Sequence, residues 1–361
     1  MAAIAMYNFK IKSSIHDYDV QFITDTAKVL NNELQPDDYI IIDNKIIELY
    51  ENDLGNTLEV TKYIDIEASE TQKSYQGVTP IIQELIDNGF RKNHRLIAIG
   101  GGITQDVTAF ISLILYRGIS WLFFPTTLLA QGDSCIGSKS SINFAHYKNQ
   151  VGGFYPPQKI FINTAFLNTL SDLDTKSGLG EMCHYFPIAG EEDFKRFKKD
   201  YPAALQDKEV LKGLIARSLE IKKKLIEIDE FDQKERQVFN FGHSFGHAIE
   251  SVTNYRIPHG IAVSYGIDIA NFVSVKLGFI PEEIRIEMRE VLEKIWKGTY
   301  IDDISIDKFK LALSKDKKNV GKELRLILNK GYGRIFKAEI QMNDEFSSWI
   351  EEYFNNEINH G

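Results

Sequence analysis

The chain has 361 residues, a length that corresponds to two domains of about 150 residues each. Hydrophobic residues make up 43% and charged residues 26%, a balance that excludes a disordered or collagen-like chain. The formal net charge of −9 argues against nucleic acid as a partner, because an acidic surface repels a phosphate backbone. Cys135 and Cys183 have no CxxC spacing and predict a reducing compartment, with neither a disulfide framework nor a thiolate zinc site.

Targeting and membrane signals are not expected. The apolar opening MAAIAM is too short for a signal-peptide core and lacks a basic leader. The most apolar stretch, residues 107–129, is interrupted by Arg117, Gly118 and Pro125, so it predicts a buried helix followed by a strand rather than a membrane span. These features predict a cytoplasmic protein with no membrane partner.

The first part of the chain alternates short β-rich runs with helical patterns. A helix is expected over residues 79–88, with Thr79 as its N-cap and Pro80 in its first turn. Strands are expected at residues 38–43, 95–100, 118–125 and 159–163. This alternation predicts a parallel α/β sheet, in a domain that we place at residues 1–165.

Helical periodicity dominates the rest of the chain. Apolar residues recur at helical spacing over residues 208–227, 235–253, 259–277 and 281–296. Residues 166–361 are therefore expected to form a second, mainly α-helical domain.

Three consecutive glycines, Gly100 to Gly102, follow a predicted strand and precede a predicted helix, and Asp106 comes four residues later. Backbone amides at such a turn can approach a phosphate at the helix N-terminus, so the segment is a candidate nucleotide site. It lacks the GxGxxG fingerprint of dinucleotide-binding folds. A tight turn that requires positive φ would also explain the glycines.

The segment from residue 236 to residue 250 carries a polar stripe. At offsets of four, three, four and three, one face of a predicted helix presents Arg236, Asn240, His243, His247 and Glu250. Leaving such groups unsatisfied in a core would cost about 1–3 kcal/mol for each neutral group, so the stripe predicts a metal or a substrate. His259 offers a third imidazole within seventeen residues, which favours a metal site over structural histidines.

Two further sites remain open on spacing alone. Lys222 shares a predicted helical face with Leu211 and Ile215, and it requires an anion there unless its chain reaches solvent. Glu181 and His184, three residues apart on a predicted helix, can face one site as a Glu-x-x-His pair or belong to a solvated helix face.

These residues belong to a series of sequence blocks. The blocks are GGGITQD at 100–106, Arg117–Gly118, PTTLLA at 125–130, DSCIGSK at 133–139, Lys148–Asn149, NFGHSFGH at 240–247, His259–Gly260 and DKK at 316–318. In order and in spacing, this series resembles the 3-dehydroquinate synthase family of sugar phosphate cyclases over nearly the whole chain.

The resemblance implies a Rossmann-like N-terminal domain that binds NAD and a helical C-terminal domain that carries a catalytic zinc or cobalt ion, with the active site between them. It assigns the metal to Glu181, His243 and His259 and gives His247 a role in proton handling or substrate binding. The positions that correspond to the NAD site are Asp43, Glu70, Lys73, Gly101, Gly102, Asp106, Thr126, Thr127, Lys148, Phe166 and Thr169.

The resemblance also implies a substrate site rich in cations. Asp133 would help to place the substrate's hydroxyls near the metal, and Arg117 would reach across the interface of a homodimer. The residues that would hold the carboxylate, phosphate and hydroxyls are Lys139, Asn149, Lys222, Arg236, Asn240 and one of Lys317 and Lys318.

The implied activity is that of a carbon–oxygen lyase that makes a carbocycle. NAD oxidises a ring hydroxyl to a ketone that the metal polarises, phosphate leaves by elimination, and the ketone is reduced again before ring opening and aldol closure. Because Lys222 and Arg236 suit a substrate with a carboxylate, we expect 3-deoxy-arabino-heptulosonate 7-phosphate or a close relative of it.

One departure from the family pattern keeps alternatives open. His184 stands where the family usually has a lysine, so a fixed charge becomes a titratable one. A cyclase for another heptulose or hexose phosphate is the nearest alternative. An NAD-dependent polyol dehydrogenase, and a paralogue that binds a sugar phosphate without catalysis, are the others.

Overall fold

The structure, a computed structural model, describes residues 7–145, 147–315 and 323–358. The chain forms two compact units, the first from Met1–Leu170 and Lys222–Phe231 and the second from Ser171–Ile221 and Asp232–Gly361. The domain limits expected from the sequence, 1–165 and 166–361, stay a prediction. None of the described helices combines the length and the apolar character needed to cross a membrane.

The first unit is built on a mixed sheet that is mostly parallel. Within the described residues its strands lie in the order β1-β2-β9-β6-β5-β3-β4, and only β1 and β2 pair antiparallel. These strands are β1 (Phe9–Ile11), β2 (Tyr18–Phe22), β3 (Tyr39–Asp43), β4 (Lys62–Ile66), β5 (Leu96–Gly100), β6 (Trp121–Pro125) and β9 (Lys159–Ile162). Strands β7 (Lys139–Phe144) and β8 (Tyr147–Phe154) form a separate antiparallel hairpin.

Helices connect the parallel strands, as the alternating sequence pattern predicts. They are α1 (Thr26–Glu33), α2 (Asn44–Leu49), α3 (Glu51–Glu59), α4 (Tyr75–Asp87) and α5 (Gly102–Ile114). The predicted α/β class and the four predicted strands are confirmed. The sequence did not indicate β1, β2, β4 or the β7–β8 hairpin, whose apolar runs are short or interrupted.

The central strands β3, β5 and β6 are buried along their whole length. A parallel sheet is covered on both faces, so its strands carry continuous apolar runs instead of an alternating pattern. Ile42, Ile99 and Phe124 are fully buried in this core. Because the carboxyl ends of parallel strands meet at one edge of a sheet, Asp43 and Gly100 come to the same edge.

Helix α4 begins four residues before its predicted start. Ser74 is the N-cap, and its Oγ accepts a hydrogen bond from the Gly77 amide at 3.2 Å. Thr79, the predicted cap, lies in the second turn and donates its hydroxyl to the Tyr75 carbonyl at 2.6 Å. The predicted start was wrong because Ser74 caps the helix well, and Pro80 inside it removes only one backbone donor.

The second unit is mainly helical, as predicted. Its helices are α6 (Asp172–Cys183), α7 (Tyr185–Ala189), α8 (Glu191–Ala204), α9 (Lys208–Ile226), α10 (His243–Val252), α11 (His259–Lys276), α12 (Glu282–Trp296), α13 (Ile306–Ser314) and α14 (Asp344–Glu352). Helix α9 crosses the division, since its residues from Lys222 onward belong to the first unit. An antiparallel pair, β10 (Glu323–Asn329) and β11 (Ile335–Gln341), was not predicted.

The continuous helix predicted over residues 235–253 is broken. A 3-10 helix covers Glu235–Asn240, and α10 starts only at His243. Gly242 between them has φ +82°, and a Cβ added there would lie 2.7 Å from the Val263 carbonyl oxygen. The prediction was wrong because this glycine takes a left-handed conformation that periodicity does not reveal, so Arg236 and Asn240 are not on the helix that carries His243.

Two glycines allow helices α6 and α11 to cross with their backbones in contact. A Cβ added to Gly260 would lie 1.7 Å from the Ser177 carbonyl oxygen, and one added to Gly180 would lie 2.3 Å from the Gly260 carbonyl oxygen. The Gly260 amide also donates to Ser177 Oγ at 3.1 Å. This crossing brings together the residues that follow and precede the two glycines, Glu181 and His259.

Gly260→Ala should destabilise the protein, because its methyl group meets backbone that cannot move without separating the helices. We expect the free energy of unfolding to fall by about 1–3 kcal/mol, measured by urea unfolding of the metal-free protein. Gly213→Ala is the matched control, since the nearest atom to its added Cβ is Arg196 Nη2 at 3.7 Å. That control should be neutral or gain about 0.5–1 kcal/mol from helix propensity, and equal losses in both variants would contradict the crossing argument.

Candidate functional site

A buried carboxylate in the second unit lies between two imidazoles. Glu181, near the end of α6, is 4% exposed. Its Oε1 is 3.3 Å from His243 Nε2, and its Oε2 is 3.3 Å from His259 Nε2. The three ligand atoms lie within 4.8 Å of one another, a spacing that allows all three to bind one metal ion.

The donor set and its surroundings fit a divalent cation. Glu181 Oε2 is buried without a hydrogen bond of good geometry, although it is close to His259. A carboxylate and two imidazoles are ligands that zinc takes in catalytic sites, which leave a coordination position open. The three ligands expected from the resemblance are therefore brought together.

The electrostatics of this triad favour positive charge. Burial opposes ionisation of Glu181, but the imidazoles of His243 and His259 outweigh it and hold the pKa of the carboxyl well below its usual range. Burial also opposes a charged His259, but the carboxylates of Glu181 and Glu250 raise the pKa of that imidazole well above its usual range. The site attracts a cation, whether a proton or a metal ion.

His247 lies beside the triad on the exposed side. It follows His243 by one turn of α10, and the two ring centroids are 5.6 Å apart. Its ring stacks on that of His259 at 5.5 Å. His247, Glu250 and His259 form a second group with ligand atoms within 4.8 Å of one another.

His184 is enclosed by aromatic rings. It is 1% exposed, and its ring centroid is 3.9 Å from that of Tyr185 and 6.1 Å from that of Phe239. It also meets the ring of His243 edge to face at 5.2 Å. Glu181 and His184 thus both contact His243, and a solvated helix face does not describe them.

The glycine turn of the first unit is built for close packing. Strand β5 ends at Gly100 and helix α5 begins at Gly102, as the sequence predicts. A Cβ on Gly100 would lie 2.3 Å from Thr104 Oγ1, and one on Gly101 would lie 2.8 Å from Thr127 Cγ2. None of the three glycines has positive φ, so the alternative explanation of a turn that needs it is wrong.

Four of the expected NAD residues form two ion pairs around Asn143. Lys73 Nζ is 2.5 Å from Asp106 Oδ2, and Lys148 Nζ is 2.8 Å from Glu70 Oε1. Asn143 Nδ2 donates to Glu70 Oε2 at 2.7 Å, and its backbone amide donates to the Lys73 carbonyl at 2.8 Å. Burial raises the pKa of Asp106, whereas for Glu70 the bonds from Lys148 and Asn143 outweigh burial and lower it.

The remaining expected NAD residues lie at strand ends or in the 3-10 helix Thr164–Thr169, which follows β9. Thr126 follows β6, and its amide donates to the Gly100 carbonyl at 2.9 Å. Asp43 ends β3 and caps α2, and burial raises the pKa of its carboxyl. Tyr50 Oη donates to the Phe166 carbonyl at 3.0 Å and is 3.1 Å from Thr169 Oγ1.

Lys222 binds an anion instead of reaching solvent. Its Nζ donates to Asp133 Oδ1 at 2.8 Å and to the Asp133 carbonyl at 2.7 Å. The Lys222 side chain is 7% exposed. Asp133 lies in a short π-helical turn, Ala130–Ser134, a feature that often marks functional sites. Two residues expected to contact substrate are thus paired with each other.

The other expected substrate residues are placed separately. In the first unit, Lys139 and Asn149 are exposed on the hairpin, and Asn149 has φ +55° with its amide bonded to Asn143 Oδ1 at 3.0 Å. Arg117 is exposed after α5 with φ +62°. In the second unit, Arg236 is 3% exposed, and Asn240 Nδ2 donates to the Gln237 carbonyl at 3.0 Å. Lys317 and Lys318 lie outside the described residues.

Three residues that make contacts at these sites had no individual role predicted from the sequence. Asn143 bonds to Glu70 and Asn149, and Tyr50 bonds to Phe166 and Thr169, but neither belongs to a recognisable block. Glu250 was on the predicted polar stripe without an assigned role. Its offset of seven from His243 was the only signal.

Two family models match consecutive parts of the chain. The family model for the 3-dehydroquinate synthase N-terminal region matches residues 63–177, and the model for the 3-dehydroquinate synthase C-terminal region matches residues 178–319. A 3-dehydroquinate synthase from Dictyoglomus turgidum is 38% identical over 294 residues, which are 80% of this chain and 81% of that protein.

Two solved structures share the fold. A 2-deoxy-scyllo-inosose synthase complexed with carbaglucose-6-phosphate, NAD+ and Co2+ has a TM-score of 0.84 at 23% identity, over 96% of this chain and 99% of that one. A 2-epi-5-epi-valiolone synthase from Streptomyces hygroscopicus with NAD+ and Zn2+ bound has a TM-score of 0.81 at 22% identity, over 94% and 95%. With both family models matched and a relative of this identity, the chain belongs to the 3-dehydroquinate synthase family.

Proposed function

We propose that the protein is a cyclase that converts a 3-deoxy-heptulosonate 7-phosphate to a carbocycle and releases inorganic phosphate. The observation that carries this proposal is the buried Glu181 carboxylate, 3.3 Å from Nε2 of His243 and of His259, in a chain of this family. The reaction has no net redox change, so NAD is needed only in catalytic amounts.

The proposal gives one cofactor to each unit. NAD is held by residues of the first unit, and a divalent ion, zinc or cobalt, is held by Glu181, His243 and His259. When bound, NAD takes up and returns a hydride, and the ion polarises a substrate oxygen. The NAD residues are Asp43, Glu70, Lys73, Gly101, Gly102, Asp106, Thr126, Thr127, Lys148, Phe166 and Thr169.

The chain's own residues then bind the substrate and move protons. Lys222 and Arg236 bind the anionic groups, because each is a buried cation and an anion compensates a buried positive charge. His247 handles protons, since it is exposed and stacks on His259. The other proposed contacts to phosphate and hydroxyls are Asp133, Lys139, Asn149, Asn240, Arg117 and Lys317.

The proposal also covers the oligomeric state and the cellular location. We propose a homodimer, to which the exposed Arg117 contributes across the interface. A cytoplasmic location stays a prediction.

A second candidate is a cyclase that acts on another heptulose or hexose phosphate. His184 favours it, because the position that usually carries a lysine is here enclosed by Tyr185, Phe239 and His243. A fixed cation at that position is absent from this chain, so the set of charges available to the substrate differs from the family pattern.

The choice of substrate can be tested directly. The purified protein with NAD+ and zinc should release phosphate from 3-deoxy-arabino-heptulosonate 7-phosphate, measured by a phosphate assay, without accumulation of NADH. Sedoheptulose 7-phosphate and glucose 6-phosphate are the controls, since neither has a carboxylate for Lys222 and Arg236. Release from sedoheptulose 7-phosphate alone would favour the second candidate, and net NADH formation would indicate a polyol dehydrogenase.

Lys222→Ala should reduce kcat/KM for the heptulosonate on the order of 10- to 100-fold, the loss expected when a charge-assisted bond to a substrate disappears. The measurement is steady-state phosphate release. Lys223→Ala is the matched control, because it removes the next lysine of α9, which pairs with Glu227 at 3.6 Å. Equal kcat/KM in the two variants would count against a substrate role for Lys222.

His184→Lys should be less stable than His184→Gln. The lysine ammonium would be buried among the rings of Tyr185, Phe239 and His243, whereas the glutamine is neutral and of similar size. Thermal unfolding of both metal-free variants tests this expectation. A His184→Lys protein that is as stable as the glutamine variant and gains phosphate release would show instead that the family lysine fits here.

A further inference from the structure

Glu250 contacts the far side of an expected metal ligand. Its Oε2 lies 3.0 Å from His259 Nδ1, while His259 Nε2 points to Glu181 Oε2 at 3.3 Å. The Glu250 side chain is 13% exposed, so bulk water competes little for its carboxylate. The two nitrogens of one imidazole therefore face two different carboxylates.

The chain turns sharply to create this contact. Helix α10 ends at Val252, and Asn254 and Tyr255 follow with φ +51° and +60°. The Tyr255 amide donates to the Glu250 carbonyl at 2.8 Å, which closes the end of the helix. Helix α11 then begins at His259, so residues nine apart in the chain meet side by side.

The two imidazoles of the triad share this arrangement. His243 Nδ1 is 3.3 Å from the Phe241 carbonyl oxygen, and its Nε2 faces Glu181. In each ring an acceptor lies at Nδ1 and the ligand position lies at Nε2. An imidazole that donates from Nδ1 must carry its lone pair on Nε2, the form that binds a metal.

We propose that Glu250 is a positioning residue that holds His259 in the tautomer and orientation needed to bind a divalent ion through Nε2. This inference rests on the proposed metal centre. An imidazole whose Nδ1 hydrogen-bonds to a carboxylate is more basic at Nε2 than one whose Nδ1 bonds to a backbone carbonyl. Glu250 therefore contributes to metal affinity without touching the ion. His243 relies on backbone for the same purpose, and only His259 depends on a side chain that substitution can remove.

The test is zinc affinity, measured for the metal-free full-length protein by competition with a chromophoric chelator. Glu250→Ala should bind zinc 10- to 100-fold more weakly, the usual loss when the partner of a ligand histidine is removed. Glu250→Gln should lose less, because its amide oxygen still accepts from Nδ1. Glu283→Ala, which removes an exposed carboxylate from α12, is the control and should match wild type.

Two further readouts separate positioning from other roles. The metal-free wild type and Glu250→Gln should have similar thermal unfolding temperatures. If Glu250→Ala does not fold, the zinc affinity of Glu250→Gln, expected to be weaker than that of wild type, tests the positioning role. The visible spectrum of the cobalt-loaded Glu250→Gln protein should keep the wild-type shape. A changed shape would overturn the inference by making Glu250 itself a ligand.

Failure of the inference and failure of the proposed function give different results. Wild-type zinc affinity in both Glu250 variants would overturn the positioning role and leave the metal centre intact. A wild-type protein that binds no zinc would overturn the metal centre, and the role of Glu250 with it.

Discussion

The close crossing of helices α6 and α11 is the constraint on which the candidate site depends. Gly180 and Gly260 carry no side chains, so the two backbones touch, and any Cβ there would overlap a carbonyl oxygen. Glu181 follows Gly180 in the chain and His259 precedes Gly260, so these two residues also lie close together. Packing at the backbone level thus sets the 3.3 Å approach of carboxylate to imidazole, with a precision that flexible side chains alone would not give.

The charged groups of the triad in the second unit favour a bound cation. A buried carboxylate between imidazoles loses hydration, and two imidazoles can compensate only when one of them takes a proton or when a metal is bound. The opposed pKa shifts of Glu181 and His259 express this demand. The triad therefore favours the binding of a positive ion, in a protein whose net charge is negative.

In the first unit, the parallel sheet and the glycine turn position the candidate residues. Its parallel strands bring Asp43 and Gly100 to one edge of the sheet, and the glycine turn lets Thr104 and Thr127 pack against the backbone. The ion pairs around Asn143 lie on segments that are far apart in the chain. The two family models that show the chain's family match residues 63–177 and 178–319.

The sequence by itself determined the α/β and helical halves and the strand–glycine–helix turn, because these depend on local periodicity. Spacing alone left the role of Glu181 open, and only the family resemblance grouped it with His243 and His259. The tertiary structure decided the rest. The break at Gly242, the return of residues 222–231 to the first unit and the aromatic enclosure of His184 depend on packing between distant segments. The role of Glu250 depends on a turn with two positive φ values. A sequence pattern shows the local preference of each residue, but it does not show which distant residues packing will bring into contact with it.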